Sequence, residues 1–189
     1  ELFNEAIKAL SPSPIIWFTR ESGVIIEEIK TKKQMPAKFE ESVDLMMSDL
    51  YVQVSFFVGE IIKDFPMITE YFKWYQQLGE IHRQKGKGKV VYVQDILTTY
   101  IVNKMDKSSK ILLPKILLKE AISDNDLLKT IRVYLDCNSN VTEAAKKMYL
   151  HRNSLQYRID KFIEITNIDI KSFQGAFTTY ILLQMLEEK

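Results

Sequence analysis

Between Asn140 and Phe162 the chain gathers side chains that can read hydrogen-bonding edges. His151, Arg152, Asn153 and Ser154 stand together, and Gln156, Tyr157 and Arg158 follow one helical turn later. A guanidinium matches the two acceptors of guanine, O6 and N7, while a carboxamide matches N6 and N7 of adenine. The hydroxyls of Ser154 and Tyr157, with the free N–H groups of a helix start, suit phosphate oxygens. Lys146, Lys147, Arg152, Arg158 and Lys161 stand against one acid, Asp160, so residues 146–161 carry a local +4. These residue types, so spaced, point to recognition of a nucleic acid rather than to bond-making chemistry.

Two short helices must position that cluster. Asn140, three residues before Glu143, resembles a capping box, with Thr142 as the competing cap. The Ala144-Ala145 pair lets another helix approach closely, and Tyr149-Leu150 forms the turn without the glycine often found there. The second helix, His151 to Thr166, then places Leu155, Ile159, Phe162 and Ile163 on its buried face. This is a helix-turn-helix pattern, whose second helix lays its N-terminal residues in the major groove. Arg152 and Asn153 are the expected base readers with Gln156 assisting; Lys146, Lys147, Tyr157, Arg158 and Lys161 mainly fix position on the backbone. His151 either touches DNA or caps the second helix. Tyr157 faces away from the apolar stripe, and Arg158 has the alternative of pairing with Asp160 or an acid on a neighbouring helix.

Upstream, Ser123-Asp124-Asn125 supplies caps for a helix on Leu127, Leu128, Ile131, Tyr134 and Leu135, which Cys137 to Asn140 ends. Ile111 to Ile122 reads as a short connecting helix with Pro114 in its first turn, and Asp106 to Ser109 as a linker. Before residue 106, strand and helix signals alternate. Residues 14–19 and 24–29 read as a hairpin around Arg20-Glu21-Ser22-Gly23. A helix follows from Pro36 with Phe39, Val43, Met46, Met47 and Leu50. Next come a strand from Tyr51 to Val58, a long helix from Pro66 on Ile68, Phe72, Tyr75, Leu78 and Gly79, a strand from Val90 to Val93, and a helix capped by Asp95. The expected fold class is α+β: a small α/β domain over 1–105, a linker and connecting helix over 106–122, and an all-α domain over 123–189.

Composition removes several other classes. The chain has 189 residues, 46% hydrophobic and 27% charged, the proportions of a globular protein. Twenty-six Lys and Arg against 25 Asp and Glu leave +1, so any nucleic-acid contact rests on the local patch. One cysteine, Cys137, and two histidines leave little for a disulfide or a metal site. No apolar run reaches a membrane span and no signal peptide opens the chain. Starting at Glu1, the sequence reads as a fragment of a longer cytoplasmic protein. The Lys85–Lys89 run has two glycines but lacks a Walker sequence, and reads as a solvated turn. His82 near a helix end, the Glu27-Glu28 and Glu40-Glu41 pairs, and Cys137 read as solvated or structural groups. The apolar stripe of Phe173, Phe177, Tyr180 and Ile181 reads as core, with Leu182, Leu183 and Leu186 as added dimer surface. No catalytic residue, cofactor or metal ligand is expected, and no enzymatic activity.

Three blocks carry a family resemblance: residues 128–135, residues 140–145 and, most specifically, His151-Arg152-Asn153-Ser154-Leu155-Gln156-Tyr157-Arg158-Ile159. Together they resemble the C-terminal helix-turn-helix of the PucR/CdaR regulators, bacterial transcription factors of purine and sugar-diacid catabolism and other pathways. Ser154 stands where the family usually has Thr, and Asn167 where it usually has Gly. Residues 14–105 resemble, more weakly, the GGDEF-like domain that precedes that helix-turn-helix. The turn at Arg20–Gly23 lacks the paired glycines and acids of diguanylate cyclases, so no cyclase activity is implied. The resemblance implies a sequence-specific DNA-binding transcriptional regulator that binds double-stranded DNA as a homodimer, with an effector small molecule acting through a preceding region. The competing readings are a nucleotide-binding cyclase-like regulatory domain, and a helix-turn-helix that docks protein instead of DNA.

Overall fold

A computed structural model describes residues 13–20, 22–28, 43, 55–85 and 90–187. The expected helix from Pro36 lies outside the described residues except for Val43, which is helical and fully buried. So do Glu21, the Glu40-Glu41 pair, the start of the strand at 51–54 and the loop at 86–89. Packing divides the chain into two units, Glu1–Leu97 and Thr98–Lys189.

In the first unit, β1 (Ile15–Trp17) pairs antiparallel with β2 (Gly23–Ile25), Ile15 opposite Ile25. The N–H groups of Phe18 and Thr19 both reach the Ser22 carbonyl and close the turn. β3 (Phe56–Val58) and β4 (Val90–Tyr92) pair in parallel. Parallel strands need a long crossover, which α1 (Ile68–Lys85) provides. Glycine is required just after β3, because a Cβ on Gly59 would lie 2.7 Å from the Tyr75 ring. That ring is held in turn by its hydroxyl, which accepts the Glu60 N–H at 3.0 Å. Leu78 of the expected apolar stripe is 1% exposed, while Ile68, Phe72, Tyr75 and Gly79 are half-buried. His82 falls in α1; its side chain is outside the described residues.

α2 (Val93–Lys104) begins before Asp95, which therefore does not cap it from outside. Its carboxylate sits in the first turn and reaches back to the Tyr92 N–H at 3.4 Å, the return half of a capping box. The division after Leu97 falls inside this helix, earlier than the expected break at 105, because Val102 and Met105 pack into the helical core.

The second unit is all helical. Its first element corrects the expected linker: Asp106 is the N-cap of α3 (Lys107–Leu118), accepting the Ser109 N–H at 2.9 Å. An Asp followed three residues later by a serine supplies a cap, and a capped start extends the helix four residues upstream of Ile111. Pro114 consequently lies inside α3, buried, rather than in its first turn. A short 3-10 turn, Lys119–Ser123, leads to α4 (Asn125–Asp136), capped by Asp124 through the Leu127 N–H at 2.9 Å. Then come α5 (Val141–Lys147), α6 (Arg152–Thr166) and α7 (Phe173–Glu187). α3 packs on α7, and α6 packs on α4, α5 and the 3-10 turn.

The core joins Leu118, Leu127, Ile131 and Tyr134 to Ala144, Ala145, Leu155, Ile159, Phe162, Leu182, Leu183 and Met185. Each fully buried Leu, Ile or Phe contributes roughly 1.5–3 kcal/mol. Cys137 is a free, buried thiol. α4 ends on backbone geometry rather than on competing side chains: Asn138 and Ser139 take φ of 52° and 59°, and the Ser139 N–H returns to the Tyr134 carbonyl. On α7 the expected stripe is core only in its second half, where Tyr180 and Ile181 are half-buried. Phe173 and Phe177 are 84% and 45% exposed, with their rings stacked, and Gly175, Thr179, Leu182 and Leu183 face inward. Gly175 sets that rotation, since only a residue without a Cβ can sit against the Asp169 carbonyl. Arg132 ties α4 to the far end of α7, pairing with Glu187 at 2.8 Å and lying 4.9 Å from the Tyr180 ring centre. The described molecule is α+β, and among its described residues no helix is long and apolar enough to cross a membrane.

Candidate nucleic-acid interface

α5 and α6 form the helix-turn-helix. Asn140 wins the competition to cap α5: its Oδ1 accepts the N–H groups of Thr142 and Glu143 at 3.0 and 3.1 Å. The box is not reciprocal, because the Asn140 N–H already bonds the Cys137 carbonyl. Ala144 and Ala145 are buried, small enough for α6 to close on α5.

The turn is a Schellman motif. The Leu150 N–H returns to the Ala145 carbonyl at 2.9 Å and the Tyr149 N–H to the Lys146 carbonyl at 3.1 Å. Tyr149 takes the left-handed position, φ 55°, where a residue other than glycine costs about 1–2 kcal/mol. His151 then caps α6, its Nδ1 accepting the Asn153 N–H at 3.3 Å, so the structure shows the capping role. α6 buries Leu155, Ile159 and Phe162, fully inside, and Thr166. It closes on Asn167 in left-handed geometry, φ 61°, with its N–H on the Ile163 carbonyl at 2.8 Å.

Burying that face turns the polar side chains outward, but not all to the same fate. Arg152, Asn153 and Ser154 are exposed in the first turn, Tyr157 is 69% exposed, and Lys146 and Lys147 are exposed at the end of α5. Among the described residues none of these six side chains is held by a hydrogen bond or ion pair. The other three members of the cluster are engaged. Arg158 donates to Thr130 Oγ1 on α4 at 2.8 Å, and Lys161 pairs with Asp124 at 2.9 Å. Gln156 donates through Nε2 to Asp160, which also receives Lys171 at 2.9 Å. The alternative of pairing Arg158 with an acid gives way to a buried threonine hydroxyl. Asp124, Thr130 and Lys171 are therefore part of the site's frame without having been legible from spacing; only the Gln156–Asp160 separation of one helical turn carried a sequence signal.

The charges follow the geometry. The Leu127 N–H and then Lys161 hold the Asp124 carboxyl below its usual range. Lys171 and then Gln156 do the same for Asp160, and Asp160 raises Lys171. An open cleft of about 550 Å³ runs between the start of α4 and α6, lined by Asp124, Asp126, Asn153, Tyr157, Arg158 and Lys161 among others. In that cleft Asp124 and Asp126 stand with Arg158 and Lys161, while Lys146 and Lys147 make the side of the turn basic. Among the described residues no group of three His, Cys, Asp or Glu side chains could hold a metal ion.

Residues 127–185 match the PucR C-terminal helix-turn-helix domain. The chain is 33% identical to the uncharacterized protein YxkF of Bacillus subtilis over 95% of its own length and 62% of that protein's. It is 35% identical to the proline-responsive transcriptional activator PutR of Bacillus subtilis over 38% of this chain and 17% of that one. With the carbohydrate diacid regulator of Escherichia coli the identity is 23% over 54% of this chain and 28% of that one. The chain thus spans less than two thirds of each of these relatives. Residues 127–185 are thus a PucR C-terminal helix-turn-helix domain, the domain that the His151–Ile159 block resembles.

Proposed function

We infer that this chain is the DNA-binding part of a transcriptional regulator, with α6 lying in the major groove of double-stranded DNA. The observation that carries this reading is the exposed first turn of α6, where the side chains of Arg152, Asn153 and Ser154 have no partner among the described residues. Bidentate donors held on a rigid helix and left unpaired match base edges, and a protein-docking surface would instead present apolar anchors. Arg152 and Asn153 read bases; Ser154, Tyr157, Lys146 and Lys147 contact the sugar-phosphate backbone. Gln156 keeps one amide hydrogen and its carbonyl oxygen for a base while Asp160 holds the other hydrogen. His151 holds the start of the helix, and Arg158 and Lys161 mainly hold α6 on α4.

One helix of this kind reads only a few base pairs, so the functional unit is a homodimer on half-sites about 34–36 Å apart. Residues 14–105 keep the GGDEF-like assignment on the strength of their order of elements, as a module without cyclase chemistry. The names of the relatives, a proline-responsive activator and a carbohydrate diacid regulator, support a regulator that answers to a small metabolite.

Selection of bound duplexes from a random pool tests the reading. A motif with two half-sites should emerge and be lost with Arg152→Ala. On the selected duplex Arg152→Ala should cost about 1–3 kcal/mol, while Lys147→Ala should weaken all duplexes alike and flatten the salt dependence. Equal losses of Arg152→Ala on selected and scrambled duplexes would remove its base-reading role.

A further inference from the structure

The geometry points to Tyr149 as a further DNA-contact residue, a clamp on the sugar-phosphate backbone at the wall of the groove that α6 enters. The inference rests on the DNA-binding reading above and adds to it a residue outside the polar cluster.

Tyr149 is 97% exposed, so its ring contributes no packing to the fold. It nevertheless occupies the left-handed position of the Schellman turn, φ 55°, where glycine would carry no Cβ strain. A bulky side chain held in that backbone region with no burial in return is an outlier that stability does not explain. Of the other positive-φ helix ends among the described residues, Asn138, Ser139 and Asn167 are short polar residues of the kind local turn geometry favours, and Lys119 carries a flexible chain. Tyr149 is the aromatic exception.

Its place in the chain supplies the function. Tyr149 stands three positions before Arg152, which limits their Cα separation to roughly 10 Å. The major groove is about 12 Å wide, so a side chain within that reach of the base reader can meet the groove wall, where the phosphates run. The turn also directly follows Lys146 and Lys147, exposed cations at the end of the preceding helix, which draw phosphate to this side of α6. A phenol suits this position, since its hydroxyl donates to a phosphate oxygen while its ring packs on deoxyribose.

The test compares Tyr149→Gly, Tyr149→Phe and Arg152→Ala in the same chain, on the selected duplex and a scrambled one. Tyr149→Gly should unfold at the same or a higher denaturant midpoint, yet bind both duplexes about 5–10-fold more weakly. Its salt slope should stay unchanged, because no charge is removed, unlike that of Lys147→Ala. Tyr149→Phe should lose a part of the same affinity on both duplexes, the share due to the hydroxyl. Undiminished binding by Tyr149→Gly, with Arg152→Ala still impaired, overturns the role of Tyr149 and leaves the DNA-binding reading standing. No binding by the parent chain to any duplex overturns both.

Discussion

At the scale of single residues, the helix-turn-helix separates groups that hold the domain from groups left for a ligand. Arg158 and Arg152 are both arginines on α6, but one bonds Thr130 and the other is free among the described residues. Thr179 shows the same logic from the inside. It is fully buried on α7, and its hydroxyl is without a hydrogen-bond partner among the described residues. Leaving a buried polar group unpaired costs about 1–3 kcal/mol, and valine has nearly the same shape. Thr179→Val should therefore raise stability by about 1 kcal/mol with DNA affinity unchanged, read from chemical denaturation and a binding isotherm; a fall in stability would mean the hydroxyl is satisfied.

At the scale of elements, the domain depends on helix starts that are also interhelical joints. Asp124 caps α4 and anchors Lys161 of α6 with the same carboxylate. The folded state holds its pKa below the ordinary value of 3.8, the Leu127 N–H being the largest cause. A depressed carboxylate contributes stability that is fully present above the unfolded pKa and is lost as pH falls through the folded one. Acid unfolding of the helical unit should thus set in as pH drops below about 4, with Asp106 and Asp160, also depressed, adding to it. Asp124→Asn keeps a good cap and loses the charge, so its stability should vary less with pH across that window. An identical acid profile for parent and variant, followed by circular dichroism, would assign the acid sensitivity to other carboxylates. The expected linker at 106–109 belongs to the same scale: its polar residues were legible, but a cap and a linker draw on the same residue types, and only the Asp106–Ser109 hydrogen bond separates them.

At the scale of the whole molecule, a net charge of +1 gives no long-range pull toward DNA. Attraction falls to the free cations near α6, which are Lys146, Lys147 and Arg152. With Lys146 and Lys147 on phosphates, log K should fall against log salt with a slope of about −1.8 per protomer, and about −2.7 with Arg152 counted, taking about −0.9 for each. A slope near −4.5 would show that Arg158 and Lys161 also neutralise phosphates, despite their bonds to Thr130 and Asp124.

The sequence by itself determined the order of the described elements, the helix-turn-helix over 140–166 and its likeness to the PucR domain, because each rests on local periodicity, caps and a contiguous motif. His151-Arg152-Asn153-Ser154 named the start of α6 without any tertiary information. Only the tertiary structure decided which polar side chains remain free. The partners of Arg158 and Lys161 lie 28 and 37 residues away in sequence, on a helix start that no spacing rule connects to α6. It also decided which side of α7 faces inward, since that helix is apolar almost all round and the choice falls to the backbone contact between Gly175 and Asp169. Local patterns specify elements; the direction a side chain takes, and what it finds there, depends on neighbours the chain brings from far away.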